Sequence, residues 1–277
     1  MPAPGQFILN KQVIPSELRS REWEAARVDY WRMERAFVMA GKVRFEDAQA
    51  CRNAAAALAN GKVSLIEARR AVREELERAG YRPTPGTAGT IKDIYTPRRL
   101  DVTLKTNVNM ARGYAEKNRL TGNAMYPASE LHRNRQSREP RDWQTRWNEA
   151  AAAVNYEGVA RDGSFIALND SPIWAALSRW RTPYPPFDYG SGMWWRPVKW
   201  RVAEKKGLVT DEDMARIESQ RPESFNHDVA LDTNIRDEDL GAALAEQMKG
   251  IAEWDGSSLR LVDRNGTRPM MPERLAG

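Results

Sequence analysis

Residues 181–195 read RTPYPPFDYGSGMWW, and three prolines, two glycines and four aromatic rings of Tyr and Trp in fifteen positions exclude a regular helix or an interior strand. Proline fixes φ and removes an amide donor, and the residue before a proline is pushed to extended geometry, so Thr182, Tyr184 and Pro185 favour β or polyproline II conformations. Gly190 and Gly192 then admit positive φ, while Asp188 and Ser191 are suited to capping backbone amides. The segment is expected to be an ordered loop. Phe187, Met193, Trp194, Trp195 and Trp200 supply the apolar surface to hold it, and an aromatic mini-core is their first expected role.

A chain of 277 residues, 41% hydrophobic and 29% charged, can bury a large core, and its composition is that of a soluble globular protein. No apolar run is long enough to span a bilayer, and the first residues, MPAPGQFILNKQ, lack the pattern of a secretory leader, so no membrane partner is expected. Cys51 is the single cysteine and His132 and His227 are the two histidines, which leaves no intrachain disulfide and too few soft ligands for zinc. No cofactor and no metal site is expected.

Charge is distributed unevenly. Residues 1–208 carry 35 Lys and Arg against 23 Asp and Glu, whereas residues 209–255 carry 4 against 13. The basic excess concentrates in 92–147 and 179–206, where it can attract nucleic acid or an acidic protein surface. Arg133, Arg135, Arg138, Arg141, Arg196, Lys199 and Arg201 are the candidate contacts to DNA or a partner. A solvated face neutralised by the acidic segment is the competing reading.

Helical signals dominate the first part of the chain. Trp23, Tyr30, Trp31, Phe37 and Val38 make one stripe over 16–40. A second helix is expected over 45–59, ending at Asn60-Gly61, and a third begins at the capping box of Ser64 and Glu67 and ends at Gly80. These two should form an antiparallel hairpin. Residues 81–95 read as a connector, and Thr96-Pro97 starts a long helix to about residue 119, in which Thr106, Asn107 and Asn109 should hydrogen-bond a neighbouring loop if buried. Residues 121–141 read as a basic, polar excursion. Further elements are a helix over 141–154, a strand over 163–168, a short helix after Ser171-Pro172, a helix capped by Thr210, a helix over 237–251 aligning Leu240, Leu244, Met248 and Ile251, a closing strand over 258–262 and a polar tail. The fold class is α+β, predominantly helical, with few short strands. The expected organisation is an N-terminal helical region over 1–80, the connector, a mixed α+β domain over 96–262 and the tail over 263–277.

Motifs for catalysis are missing: there is no phosphate loop, dinucleotide fingerprint or serine elbow. His227, beside Asp228, is the best general-base candidate but reads more readily as structural. Glu22 and Glu24 would point to different faces of a helix. Asp237, Glu238 and Asp239 suit a helix start. No catalytic residue and no small-molecule substrate is expected.

Tyr184-Pro185-Pro186, followed by Phe187 and a turn containing Gly192 and placed shortly after Asp170-Ser171-Pro172-Ile173-Trp174, resembles the signature loop of the phage Mu F-like minor head proteins, the phage head morphogenesis family. Residues 104–119, LKTNVNMARGYAEKNR, are similar to that family's Thr-Asn helix, with Thr106, Asn107, Ala111 and Tyr114 at matching places. Residues 58–81 resemble the hairpin before it, and Phe225-Asn226 with the last helix and strand resembles the carboxy-terminal end. The likeness spans about residues 20–262 in blocks. Many members carry an Asn and a Cys-Arg-Cys pattern after the YPP element, where this chain has Phe187 to Gly192, so no metal or thiol role is carried over. The resemblance implies a non-catalytic component inside a phage head near the portal, assisting head assembly, DNA packaging or DNA delivery. Its implied partners are the portal protein, other head proteins and packaged DNA. A general DNA-binding protein, or a nuclease or toxin delivered with the DNA, is the alternative.

Overall fold

The computed structural model describes residues 4–14, 36–39, 44–134, 141–156 and 164–222, with isolated pieces at 230–231, 242–243, 246, 252–254 and 259–261. The fold is α+β and predominantly helical. The expectations for Trp23, Tyr30 and Trp31, for Glu22 and Glu24, for Arg135 and Arg138, for Phe225, Asn226 and His227, for Asp237, Glu238 and Asp239, for Leu240, Leu244, Met248 and Ile251, and for the tail lie outside the described residues.

A short helix α1 (Pro4–Leu9) leads to a strand β1 (Gln12–Ile14), which pairs in parallel with β2 (Ala36–Val38). This pair corrects the helical stripe expected over 16–40 at its carboxy-terminal end. Phe37 is 1% exposed and enters the core from a strand, not from a helix.

The hairpin of α2 (Phe45–Ala59) and α3 (Leu65–Arg78) follows. Ser64 Oγ accepts from the Glu67 amide at 3.3 Å and the Ser64 amide donates to Glu67 Oε2 at 2.7 Å, a reciprocal cap that satisfies two donors the helix start would otherwise leave open. Ala68, Val72 and Leu76 are its buried face. The connector is ordered around Asp93, whose buried carboxylate accepts from Tyr81 Oη at 3.2 Å and from the Gly89 and Tyr95 amides at 2.9 and 3.0 Å.

The central element is α4 (Pro97–Leu120), begun by Thr96, whose hydroxyl accepts from the Arg99 amide, with Pro97 in the first turn. Pro97 there gives up an amide that has no intrahelical partner in any case. Leu100, Leu104, Ala111, Tyr114 and Leu120 bury its inner face in a single apolar cluster that runs from Phe7 to Trp195 through both sides of the connector.

An antiparallel sheet stands beyond α4 in the order β4 (Ile166–Leu168), β3 (Ala128–Arg133), β5 (Met193–Val198). Two of these strands correct the sequence reading: β3 lies in the segment expected to be a polar excursion, and the stretch 181–195 ends in β5. Leu131 and Trp195 face each other across the ladder into the main core, while Ala128 and Val198 face the opposite side, onto a smaller cluster with Ala203 and Val209. Three helices cover the sheet: α5 (Trp143–Ala153), α6 (Ile173–Leu177) and α7 (Trp200–Lys205), the last absent from the sequence reading. The helix α8 (Asp211–Ser219) starts at Thr210, which forms a capping box with Asp213. Beyond it, β6 (Ala230–Leu231), β7 (Ala252–Trp254) and β8 (Leu259–Leu261) form an antiparallel set in the order β6, β8, β7.

Candidate functional site

The loop over 178–192 is built inward. Tyr184, Pro185, Pro186, Phe187 and Asp188 are all buried, and the Pro185-Pro186 peptide is cis. The Arg179 amide donates to the Phe187 carbonyl at 3.0 Å and closes the loop, while Thr182 Oγ1 lies 3.0 Å from Ser178 Oγ inside it. Asp188 and Ser191 cap amides: Asp188 Oδ1 accepts from Tyr189 N at 2.7 Å and Ser191 Oγ from Met193 N at 3.3 Å. Gly190 and Gly192 have φ of 58° and 67°, which a side chain would strain.

Phe187 enters an aromatic core. Its ring stacks on Trp174 at 5.7 Å, and Trp174 meets Trp195 and Trp147 edge-on at 5.3 and 5.5 Å. The Trp174 indole N–H donates to the Leu168 carbonyl at 2.8 Å, so the one polar atom of a fully buried ring is satisfied. Tyr184 turns the other way and meets Tyr114 of α4 edge-on at 5.9 Å, and Tyr114 stacks on Phe7 of α1 at 4.3 Å.

Helix and loop meet closely because of Gly113. A Cβ built there would stand 1.6 Å from the Pro185 carbonyl oxygen and 3.0 Å from the Tyr184 ring. Sequence reading passed over this glycine. The available signal was its place in a helix interior, where glycine costs about 1 kcal/mol against alanine and calls for a packing reason. Ala111 and Tyr114 are buried beside it. Thr106 and Asn107 are half-buried, but Asn107 Nδ2 donates to the Thr103 carbonyl at 2.9 Å. The bond to a neighbouring loop expected of a buried face is not made by Asn107, which is half-buried and spends its amide on its own helix.

Three arginines converge on Asp188, whose side chain is 7% exposed: Arg146 Nη1 at 2.9 Å, Arg141 Nε at 3.4 Å and Arg179 Nη1 at 3.4 Å. Each is also engaged elsewhere. Arg146 Nη2 donates to the Leu177 carbonyl and the guanidinium lies over the Trp143 ring, Arg141 Nη2 donates to the Tyr189 carbonyl, and Arg179 lies over the Tyr189 ring. Arg141, a candidate contact to DNA or a partner, therefore ties α5 to the loop. Arg146 and Arg179 were not singled out from sequence, since nothing in their spacing shows that they share a carboxylate.

The other described candidate cations differ in setting. Arg196 pairs with Glu130 at 2.6 Å on the exposed sheet face, Lys199 and Arg201 are exposed at the start of α7, and Arg133 is half-buried at the end of β3.

A groove of about 990 Å³ opens between α4 and the turn over 186–194. Arg98, Lys105 and Arg112 line its helical wall, with Val102, Thr106 and Asn109 between them. Leu58 and Leu65 close one end, and Asn134, Tyr189 and Trp194 lie on the loop side. Among the described residues no group of three or more His, Cys, Asp or Glu is placed to hold a metal, and no helix is long and apolar enough to cross a membrane. His132 is exposed on β3. The features at hand are a buried structural loop, an arginine cage and a basic groove.

No protein-family model, curated protein or solved structure matches this chain.

Proposed function

We propose that this protein is a minor head protein of the phage Mu F-like type, a non-catalytic component near the portal inside a phage head that assists head assembly, DNA packaging or DNA delivery. One observation supports the reading most. The two blocks that carry the resemblance, the Thr-Asn helix and the YPP loop, are distant in sequence yet pack directly on one another at Gly113 and Pro185. A signature divided between two segments has a physical basis when the segments share a contact. The loop residues of the signature are buried, so their role is to shape the domain, and exposed surfaces would make contact with the portal protein, other head proteins or packaged DNA.

The test is quantitative mass spectrometry of purified DNA-filled and emptied particles, with portal and major capsid subunits as internal standards. A few copies per portal in filled heads is the expected result, and loss on emptying would indicate delivery with the genome. Absence from both particle types overturns the reading.

A further inference from the structure

We infer that the groove between α4 and the turn over 186–194 binds a short run of single-stranded nucleic acid. The argument begins with its charge. Arg98, Lys105 and Arg112 recur every seven residues, which puts them on one helical face about 10.5 Å apart at 1.5 Å rise per residue. The two carboxylates that line the groove leave Arg98 and Arg112 uncancelled. Asp101 is shared between Lys105 at 2.9 Å and Arg69 at 3.4 Å, and Asp188 is held by its three arginines. The potential in the groove is therefore positive, and low-dielectric walls focus it.

The remaining lining adds hydrogen-bonding and stacking groups. Arg98 and Arg112 are exposed, and they make no ion pair or side-chain hydrogen bond among the described residues. The same holds for the side chains of Thr106, Asn109 and Asn134, which leaves one hydroxyl and two carboxamides of the kind that meet base edges. Trp194, half-buried at the groove wall, makes no ring stack with another aromatic of the described residues. Cations that track a backbone, a partly exposed indole backed by the core and uncommitted polar side chains together are the chemistry of a single-strand site. An acidic peptide would use the cations and could pair with the amides through its backbone, but its carboxylate side chains offer no planar face to stack on the indole. A duplex is too wide for a recess of this volume, which lies at the upper end of small-ligand sites.

The inference stands on the groove alone and does not depend on location in a particle. Its test is fluorescence anisotropy of the full chain with a labelled oligothymidylate, the same sequence as a duplex, and polyglutamate, each titrated with salt. The single strand should bind tightest, and Arg98→Gln with Arg112→Gln should weaken it about tenfold and flatten the log–log salt slope by about 1.4, at ~0.7 for each phosphate no longer neutralised. A control with the same charge change, Arg70→Gln with Arg78→Gln, should shift affinity less than about twofold, since those exposed cations lie outside the groove. Trp194→Leu should cost about fivefold or more because the indole no longer stacks on a base. Four results overturn the inference: no binding at low salt, equal losses in the two double variants, tighter binding of duplex, or tighter binding of polyglutamate.

Discussion

Gly113 lies directly beneath the carbonyl of Pro185, so closely that a single added carbon would fall 1.6 Å from the oxygen. The bare backbone of α4 at this point is what allows the loop to seat.

Gly113→Ala tests that contact with an unusually clear sign. Helix propensity alone favours alanine by about 1 kcal/mol, while a methyl carbon 1.6 Å from a carbonyl oxygen puts the overpacking cost at the upper end, about 2–3 kcal/mol. Net destabilisation of about 1–2 kcal/mol by urea denaturation is expected. A variant more stable than the parent would show that the loop does not rest on the helix here.

Tyr184→Ala and Asn107→Ala should part company. Tyr184 is 1% exposed against Tyr114, and its truncation should cost about 3–5 kcal/mol. Asn107 bonds only its own helix, and alanine is the better helix former, so its replacement should stay within about 0.5 kcal/mol. Thermal melts of the two variants decide the point, and equal shifts would contradict the geometry.

Asp188→Asn leaves three guanidinium groups without their shared anion. Removing one partner of a buried pair costs about 3–5 kcal/mol, and because the three arginines are roughly one-third exposed we expect about 2–3 kcal/mol. Arg179→Gln, at the edge of the cage, should cost about 0.5–1 kcal/mol. Chemical denaturation of both variants provides the comparison; an Asp188→Asn loss no larger than that of Arg179→Gln would mean that the cage contributes little.

Alkali should weaken the fold through two tyrosines. Burial first, and then the Asp93 carboxylate, push the Tyr81 phenol up to about 12, and burial pushes Tyr156 to about 12. Both values lie above the ordinary 10.0, so the folded state keeps protons that the unfolded chain releases. The stability they contribute is complete below pH 10 and is lost as pH rises from there through about 12. The melting temperature should fall across that window, and Tyr156→Phe, which loses the bond to the Ile166 carbonyl but also the ionisation, should show a shallower fall. An unchanged slope would exclude Tyr156 as a contributor.

Legibility in the sequence followed the range of the interactions. Ser64 with Glu67, Thr96 with Pro97, and Thr210 mark helix starts through neighbours within a turn, and those elements stand where local chemistry puts them. The strand β3 escaped because Ser129 and Glu130 interrupt its apolar positions and because what buries it is a ladder to β5, more than sixty residues away. Phe37 was misread for the same reason: a three-residue parallel pairing leaves no periodicity of its own. At the site, the stiffness of the YPP loop was evident from its prolines, but its seat on Gly113 and its cage of Arg141, Arg146 and Arg179 are tertiary facts.

The stack of Phe7 on Tyr114, and of Tyr114 against Tyr184, has a practical corollary for anyone handling the chain. Only the thickness of one phenol ring separates α1 from the YPP loop, so deleting α1 strips the far wall from Tyr114 and loosens the support under Tyr184. A shortened chain would report on loop integrity, and an affinity handle is better placed away from that end.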